Sequence, residues 1–294
     1  MDEQTITIGG ELVVGRIGLG AMRLTGEALW GPYADHEGAV DFLRAAVEAG
    51  VTLIDTADVY GPHSNEHLIH DALQPYPDGL VVASKGGFVR GSRDFSSVQA
   101  IGARSYLQQA ARLSARRLGV ERIDLYYLHS GHATDASFED QIETLVGLRD
   151  DGVIGHIGLS NISVEQFSIA CGITEIAAVT AHFNVADRTN EPLLRAAEAA
   201  GSVFVPWQPI SLIPPRDERT DVNGPDHLRA VLEPIAEAHG ASASQVSLAW
   251  LLQHSPAMLP IPGTTSIEHL RQNLAAQNFR LTPEEATAIT ELAS

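Results

Sequence analysis

Residues 51–61 read VTLIDTADVYG, a short apolar run that ends in an aspartate and passes into a polar loop. Residues 80–87 (LVVASKGG) and residues 123–130 (IDLYYLHS) repeat this design. Short β-rich runs separated by helix-length segments are typical of βα units, in which helices connect parallel strands. Polar residues that come directly after such strands meet at one edge of the sheet.

Eight such runs along the chain predict one parallel sheet, with strands at residues 17–21, 52–55, 80–84, 123–128, 156–159, 176–179, 202–205 and 258–261. Helical patterning follows at residues 37–49, 100–118, 138–150, 191–200 and 244–254. Eight repeats without a long Gly/Ser linker favour a closed barrel over a doubly wound open sheet. We therefore predict an α/β protein in which residues 1–294 form a single (β/α)8 TIM barrel domain.

Three additions to the barrel are predicted. Residues 5–14 alternate around Gly9 and Gly10, the signal for an N-terminal β-hairpin that plugs the barrel bottom. Residues 209–226 are rich in proline and predict a long loop after the seventh strand. Thr282 and Pro283 mark the start of an extra C-terminal helix over residues 284–292.

Composition limits the possible partners. A formal net charge of −18 disfavours nucleic acid and anionic membranes, and no run is long enough to span a bilayer. The single cysteine, Cys171, cannot form an internal disulfide, and the sequence begins without a secretory signal pattern. We therefore expect a cytoplasmic protein. The histidines form neither an HExxH motif nor a Cys/His cluster, so no metal site is predicted.

Four reactive side chains follow three neighbouring strands: Asp55, Tyr60, Lys85 and His129. Hydride addition to a carbonyl develops negative charge on the oxygen, and a positioned acid such as the Tyr60 phenol can supply the proton. An ammonium beside a phenol lowers the phenol pKa, so Lys85 is expected to bring the pKa of Tyr60 toward neutrality. Asp55 would keep Lys85 charged, and His129 would orient the substrate oxygen. Each residue taken alone has an ordinary structural explanation, and only their joint spacing points to chemistry.

With these residues in place, the chain resembles the aldo-keto reductases over nearly its whole length. The resemblance rests on GLGAMRL (18–24), DTADVYG (55–61), SKGG (84–87), LYYLH (125–129), HIGLSN (156–161) and LPIPGTTSIEHLRQN (259–273). It implies that the four residues form a catalytic tetrad and that a small aldehyde or ketone is reduced with NADPH rather than NADH. A narrower similarity to bacterial pyridoxal reductases lies in the C-terminal segments.

The cofactor residues combine this resemblance with local chemistry. Trp207 can stack on a nicotinamide ring, and backbone N–H groups after the eighth strand, leading into a helix, form an anion site at Gly263, Thr264 and Thr265. The resemblance assigns Ser160 and Asn161 to the carboxamide, with Thr180 at a position after strand six where relatives carry glutamine. It further implies cofactor contacts by Gly20, Met22, Arg23, Asp55, Gln208, Pro209, Ile210, His269, Gln272 and Asn273.

Two other functions remain open from the sequence. A Schiff-base aldolase would use Lys85 as its nucleophile, although Asp55 would keep that lysine protonated. A cofactor-sensing binding module of the same fold would bind NADPH without turnover. The sequence does not decide the physiological substrate, the direction of the reaction, or whether the chain is a monomer or a homo-oligomer. His132 and His182 are expected near the catalytic rim, as substrate contacts or as solvated side chains.

Overall fold

The computed structural model describes residues 4–210 and 225–292 of the chain. Its strands are β1 (Thr5–Ile8), β2 (Leu12–Gly15), β3 (Leu19–Gly20), β4 (Leu53–Asp55), β5 (Val81–Gly86), β6 (Phe88–Arg90), β7 (Val98–Ala100), β8 (Ile123–Leu128), β9 (Ile154–Ser160), β10 (Ala178–His182) and β11 (Val203–Trp207). Its α-helices are α1 (His36–Glu48), α2 (Ser64–Leu73), α3 (Arg104–Leu118), α4 (Phe138–Asp150), α5 (Val164–Ile173), α6 (Glu191–Ala199), α7 (Pro225–His239), α8 (Ala243–His254), α9 (Ile267–Ala275) and α10 (Pro283–Glu291).

The central sheet is parallel throughout, with strand order β11-β10-β9-β8-β5-β4-β3. Residues 258–262 close the gap between β11 and β3: Leu259 N donates to Phe204 O at 2.9 Å, and Gly18 N donates to Pro260 O at 3.0 Å. The predicted barrel is therefore confirmed. The predicted eighth strand, however, makes only an isolated bridge from Met258 to Phe204. Proline lacks a backbone N–H, so Pro260 and Pro262 prevent a continuous ladder.

Several strands extend further at their carboxyl ends than predicted. β5 continues through Lys85, β10 runs two residues beyond Thr180, and β11 includes Trp207. A polar residue after an apolar run also suits a loop, but in a barrel such residues can face inward near the functional end of a strand. Helix α3 starts at Arg104 rather than at residue 100, because residues 98–100 pair with residues 88–90 in a second hairpin.

The N-terminal hairpin closes the bottom of the barrel, as predicted. Ile8 and Val14 are fully buried and pack in one apolar cluster with residues from the barrel interior, including Leu53, Val81, Leu125, Val203 and Leu259. Glycine suits its tight turn, because Gly9 (φ +57°) and Gly10 (φ +72°) both lie in the left-handed region. Ile8 pairs with Leu12, so the turn has three residues rather than two.

The helical layer covers the outside of the sheet. The predicted C-terminal helix is present as α10, whose capping Thr282 accepts from Glu285 N while the Glu285 side chain bonds back to the Thr282 backbone. It is tied to α8 by the indole N–H of Trp250, which donates to Thr290 Oγ1 at 3.0 Å. Most of the predicted loop at 209–226 falls within residues 211–224, outside the described residues. None of the helices in the described ranges is long and apolar enough to cross a membrane.

Candidate active site

Neighbouring strands bring Asp55, Lys85 and His129 to one rim. Asp55 ends β4, Lys85 lies near the end of β5, and His129 directly follows β8. All three are buried. The Lys85 ammonium forms an ion pair with Asp55 Oδ1 and donates to Thr56 O at 2.9 Å. The charged ammonium of Lys85 can be buried here because the Asp55 carboxylate neutralises its charge and the Thr56 carbonyl accepts a hydrogen bond from it.

Tyr60 reaches the same point from the loop between β4 and α2. Its ring centroid lies 5.2 Å from Lys85 Nζ and 6.0 Å from the His129 ring, which it meets edge-on. Phe88 packs on the other side of His129, with ring centroids 4.7 Å apart. The structure therefore brings together the acid, phenol, ammonium and imidazole that the sequence predicted.

The pKa directions define the protonation states of these groups. Burial alone would lower the pKa of Lys85, but Asp55 and Tyr60 raise it, so the ammonium keeps its proton. Burial, helped by the charge of Lys85, holds the pKa of His129 well below its usual range, so the imidazole is neutral. Burial raises the pKa of Asp55 against the opposing effect of Lys85.

Tyr60 differs from the sequence expectation. Lys85 lowers the pKa of the phenol, as predicted, but burial raises it by more, and the net direction in the free protein is upward. The expected shift toward neutrality was wrong because the burial of the phenol, which depends on the packed fold, could not be predicted from the sequence. Tyr60 therefore holds its proton and can act as an acid.

These residues line a first cavity of about 370 Å³ at the top of the barrel. Its wall also contains most of the predicted cofactor residues near the reacting end: Gly20, Met22, Arg23, Ser160, Asn161, Thr180, Trp207, Gln208 and Gly263. A Cβ at Gly20 would come within 2.8 Å of Ile261 O, so the close approach of β3 to residues 258–262 requires glycine there.

A second cavity of about 750 Å³ continues from the first, and both share Arg23, Leu29 and Gly263. The remaining predicted residues line it: Ile210, Thr264, Thr265, His269, Gln272 and Asn273. The first turns of α8 and α9 both border this cavity, through Ser242 and Ser244 and through Ser266. Free N–H groups and the helix dipole favour anions at such ends. Pro209 is buried and lines neither cavity.

Hydrogen bonds fix the aromatic wall of the first cavity. Trp207 Nε1 donates to Asn161 Oδ1 at 3.1 Å, and Asn161 Nδ2 donates to Ser160 Oγ at 2.9 Å. Behind Trp207, the His182 ring lies 4.5 Å from the indole and bonds to Asp187 at 3.0 Å. His182 thus supports Trp207 and does not line the cavity, while His132 is exposed and also lies outside it.

Buried polar atoms suggest where a ligand would bind. Eight buried side-chain polar atoms in the described part of the chain have no hydrogen-bond partner, and four of them are Asp55 Oδ2, His129 Nδ1, Thr180 Oγ1 and Asn273 Nδ2. Such atoms are rare because burial without a partner costs free energy. All four residues border the two cavities, so the donor and acceptor set fits a dinucleotide and a carbonyl.

Sequence reasoning missed one wall of the first cavity. It is formed by the loop at residues 26–31 and by the β6–β7 hairpin, which contribute Leu29, Phe88, Arg90, Phe95 and Val98. The signal was present, because short alternating stretches at 88–90 and 98–100 flank a polar turn. The predicted helix over residues 100–118 overlaps this hairpin at residue 100.

Comparisons with known proteins agree with this geometry. Residues 16–294 match the model of the aldo/keto reductase family. The chain is 37% identical over 289 residues to pyridoxine 4-dehydrogenase of Escherichia coli, covering 97% of this chain and 96% of the relative. The structure of a glycerol dehydrogenase from Gluconobacter oxydans is similar with a TM-score of 0.85 and 26% identity, covering 99% of this chain and 95% of that one. An aldo-keto reductase from Klebsiella pneumoniae in complex with NADPH is similar with a TM-score of 0.80 and 26% identity, covering 100% and 96%.

Proposed function

Because the chain belongs to the aldo/keto reductase family, we propose that it reduces an aldehyde or ketone to the alcohol with NADPH, using Tyr60 as the general acid. The observation that carries this proposal is the cluster of Tyr60, Lys85, Asp55 and His129 in a cavity that opens into a second, anion-favouring one. The E. coli relative is named as a dehydrogenase, and the Klebsiella relative binds NADPH.

The tetrad residues have separate roles in this proposal. When bound, NADPH supplies the hydride to the carbonyl carbon. Tyr60 donates its proton to the carbonyl oxygen, and the Lys85 ammonium stabilises the phenolate that remains. Asp55 keeps Lys85 charged and oriented. The neutral His129 imidazole positions the carbonyl oxygen beside Tyr60. In the reverse direction the Tyr60 phenolate would take the alcohol proton.

The cofactor would extend through both cavities. We place the nicotinamide against Trp207, with Ser160, Asn161 and Thr180 near its carboxamide. The phosphates would lie beside Arg23 and the N-terminus of α9 at Gly263, Thr264 and Thr265, where backbone N–H groups favour anions. His269, Gln272 and Asn273 would contact the adenosine end. Gly20, Met22, Gln208 and Ile210 complete the set, whereas Pro209 lies outside both cavities. His269 supports NADPH over NADH, because it lies at the adenosine end and can meet an additional phosphate.

The lining of the first cavity favours a ring-bearing carbonyl. Phe88, Phe95 and Trp207 present aromatic surface, and Val59 and Val98 add aliphatic surface. Aromatic walls of this kind bind flat rings through offset or edge-to-face contacts. Since the relative from E. coli is named for the 4-dehydrogenation of pyridoxine, we propose pyridoxal as a candidate substrate.

The two alternatives are less well supported. A Schiff-base aldolase needs a neutral lysine, whereas Asp55 and Tyr60 raise the pKa of Lys85 and keep it protonated. A sensing module would not need the proton donor and its supporting ion pair. The predicted lack of nucleic-acid and membrane partners and the cytoplasmic location stay predictions from the charge and the sequence.

The test combines binding with turnover. NADPH and NADH are titrated separately by cofactor fluorescence, and pyridoxal and other aldehydes are then added while the absorbance of the reduced nicotinamide is followed. We expect tighter NADPH binding and aldehyde-dependent oxidation. Tyr60→Phe should lower kcat by about 10²–10⁴-fold with binding retained.

The matched control is Tyr76→Phe, since the Tyr76 hydroxyl donates to Leu118 O at 2.7 Å and lies outside both cavities. It should leave kcat unchanged. Binding without turnover of any aldehyde would favour the sensing module. Failure to bind either cofactor would overturn the proposal.

A further inference from the structure

The charges in the first cavity do not cancel. Among the described residues, its wall carries four charged side chains: Arg23, Asp55, Lys85 and Arg90. Asp55 and Lys85 neutralise each other in their ion pair. Arg23 lies beside Gly263 where the first cavity meets the second, at the proposed phosphate position. Arg90 is therefore the remaining positive charge on the substrate side.

The Arg90 guanidinium is held firmly by neutral groups. Arg90 Nη1 donates to Leu29 O at 3.0 Å, and Nη2 donates to Ala28 O at 2.8 Å. Nε donates to Ser92 O at 3.0 Å. The flat face lies 4.2 Å from the Phe95 ring centroid. Carbonyl oxygens and an aromatic face orient a guanidinium without removing its net charge.

No carboxylate pairs with Arg90 in the described part of the chain, where every ion pair within 4.0 Å involves other residues. The neighbouring Arg93 pairs with Glu27 instead. Hydrogen bonds from Ser96, and to a smaller extent the charge of Arg90, lower the pKa of Asp94. The Asp94 side chain is nevertheless exposed, and its carboxylate accepts hydrogen bonds from the backbone N–H and the hydroxyl of Ser96. Arg90 therefore keeps an unneutralised positive charge at the wall of the first cavity.

The position of Arg90 relative to the reacting groups sets a length scale. Phe88 packs against His129, and Arg90 is two residues further along β6. Residues two apart in a strand share a face and are separated by about 7 Å. A ring-bearing substrate with its carbonyl at Tyr60 and His129 would therefore present its far side toward Arg90.

We propose that Arg90 makes the first cavity selective for carbonyl substrates that carry an anionic group, a carboxylate or a phosphate monoester, on the far side of a ring from the carbonyl. This inference rests on the proposed reductase function and specifies its substrate class. Four of the five guanidinium N–H groups donate to the carbonyl oxygens of Leu29, Ala28, Ser92 and Arg93, which leaves one Nη1 hydrogen for a charge-assisted hydrogen bond to such a substrate. A neutral analogue gains nothing from the charge. The surrounding apolar wall strengthens the attraction because it excludes water.

The test uses pairs of aldehydes that differ in charge. One pair is 4-carboxybenzaldehyde and its methyl ester, and the other is 4-formylphenyl phosphate and 4-methoxybenzaldehyde; in each anionic member the charged group lies across the ring from the aldehyde. KM and kcat are measured with NADPH for the wild type, Arg90→Gln and Arg90→Lys, with Arg93→Gln as the control for a nearby charge outside the cavity. For the wild type we expect the anionic member of a pair to have a KM about tenfold lower.

Arg90→Gln should remove that difference, Arg90→Lys should keep most of it, and Arg93→Gln should leave it unchanged. Added salt should raise the wild-type KM of the anionic member only. A preference in the carboxylate pair alone, or in the phosphate pair alone, identifies which anion the site takes. Equal KM values in both wild-type pairs, or a preference that survives in Arg90→Gln, would overturn the proposal.

Two features keep the result interpretable. Arg90→Gln fails to fold if the lost hydrogen bonds to Ala28 and Leu29 are essential. The proposal is then tested by the KM difference within each wild-type pair, by its salt dependence and by Arg90→Lys. Turnover of the neutral aldehydes reports the reductase function separately. Loss of turnover for every aldehyde in the wild type would contradict the proposed function, whereas equal turnover of charged and neutral members contradicts only the role of Arg90.

Discussion

The two ends of the barrel interior are built from opposite kinds of side chain. At the hairpin end, Ile8 and Val14 close a cluster of apolar residues. At the other end, Asp55, Lys85, His129 and Thr180 are buried but polar, and three of them carry an atom without a hydrogen-bond partner in the described residues. The apolar end favours folding, whereas the polar end costs stability and keeps groups ready for a ligand.

The same strands supply both ends. Leu53 precedes Asp55 by two residues in β4, and Ala83 precedes Lys85 by two in β5. Tyr127 likewise precedes His129, and Val205 precedes Trp207. Because side chains alternate across a strand, each reactive residue faces inward in line with a core residue. The apolar residue sets the direction of the reactive one.

The largest expected effect comes from breaking the polar end at Lys85. Lys85→Met leaves Asp55 buried without its partner, which should lower the free energy of unfolding by about 3–5 kcal/mol and kcat/KM by about 10²–10⁴-fold. The double variant Lys85→Met/Asp55→Asn should recover most of the stability but none of the activity. Denaturant unfolding and steady-state kinetics measure the two quantities. Recovery of activity in the double variant would contradict the role of the ion pair.

A substitution in the apolar end should lower stability without lowering activity. Ile8→Ala removes a fully buried side chain from the hairpin and should lower the free energy of unfolding by about 2–4 kcal/mol, with kcat unchanged. Val13→Ala is the matched control, because Val13 is 60% exposed in the same hairpin and should change stability by less than about 0.5 kcal/mol. A large loss of kcat in folded Ile8→Ala would show that the two ends are coupled.

The sequence predicted the polar end better than its surroundings. Asp55, Tyr60, Lys85 and His129 were found because each follows an apolar run at a strand end, and local spacing is visible in a sequence. The cavity wall around Arg90 was missed because its alternating stretches, at 88–90 and 98–100, are only three residues long, and patterning that short does not determine which strands pair. The upward pKa shift of Tyr60 was missed for a similar reason, since burial is a property of the packed fold.

A smaller effect concerns acid and His129. Burial, and to a smaller extent the charge of Lys85, hold the pKa of His129 well below the ordinary value of about 6.5. Below about pH 6.5 the unfolded chain therefore binds a proton at His129 that the folded protein does not bind. The free energy of unfolding should therefore fall as the pH drops below about 6.5, with a contribution of up to about 1.4 kcal/mol per pH unit. His129→Gln should make that slope shallower in denaturant titrations down to about pH 5, while His132→Gln controls for the loss of one imidazole. An unchanged slope in His129→Gln would contradict this assignment.

The smallest expected effect is an opposite change in the free energy of unfolding when either of two buried threonines, Thr144 and Thr180, is replaced by valine. Thr180 Oγ1 borders the first cavity without a partner in the described chain, whereas Thr144 Oγ1 donates to Asp140 O at 2.7 Å. Thr144→Val should lower the free energy of unfolding by about 1 kcal/mol, because it removes a formed hydrogen bond. Thr180→Val should raise it by about 1 kcal/mol, because it removes a buried polar atom that has no partner. The same variant should weaken NADPH binding by about three- to tenfold in a fluorescence titration, since we place Thr180 near the carboxamide. Stabilisation without weaker binding would mean that this hydroxyl serves neither folding nor the cofactor.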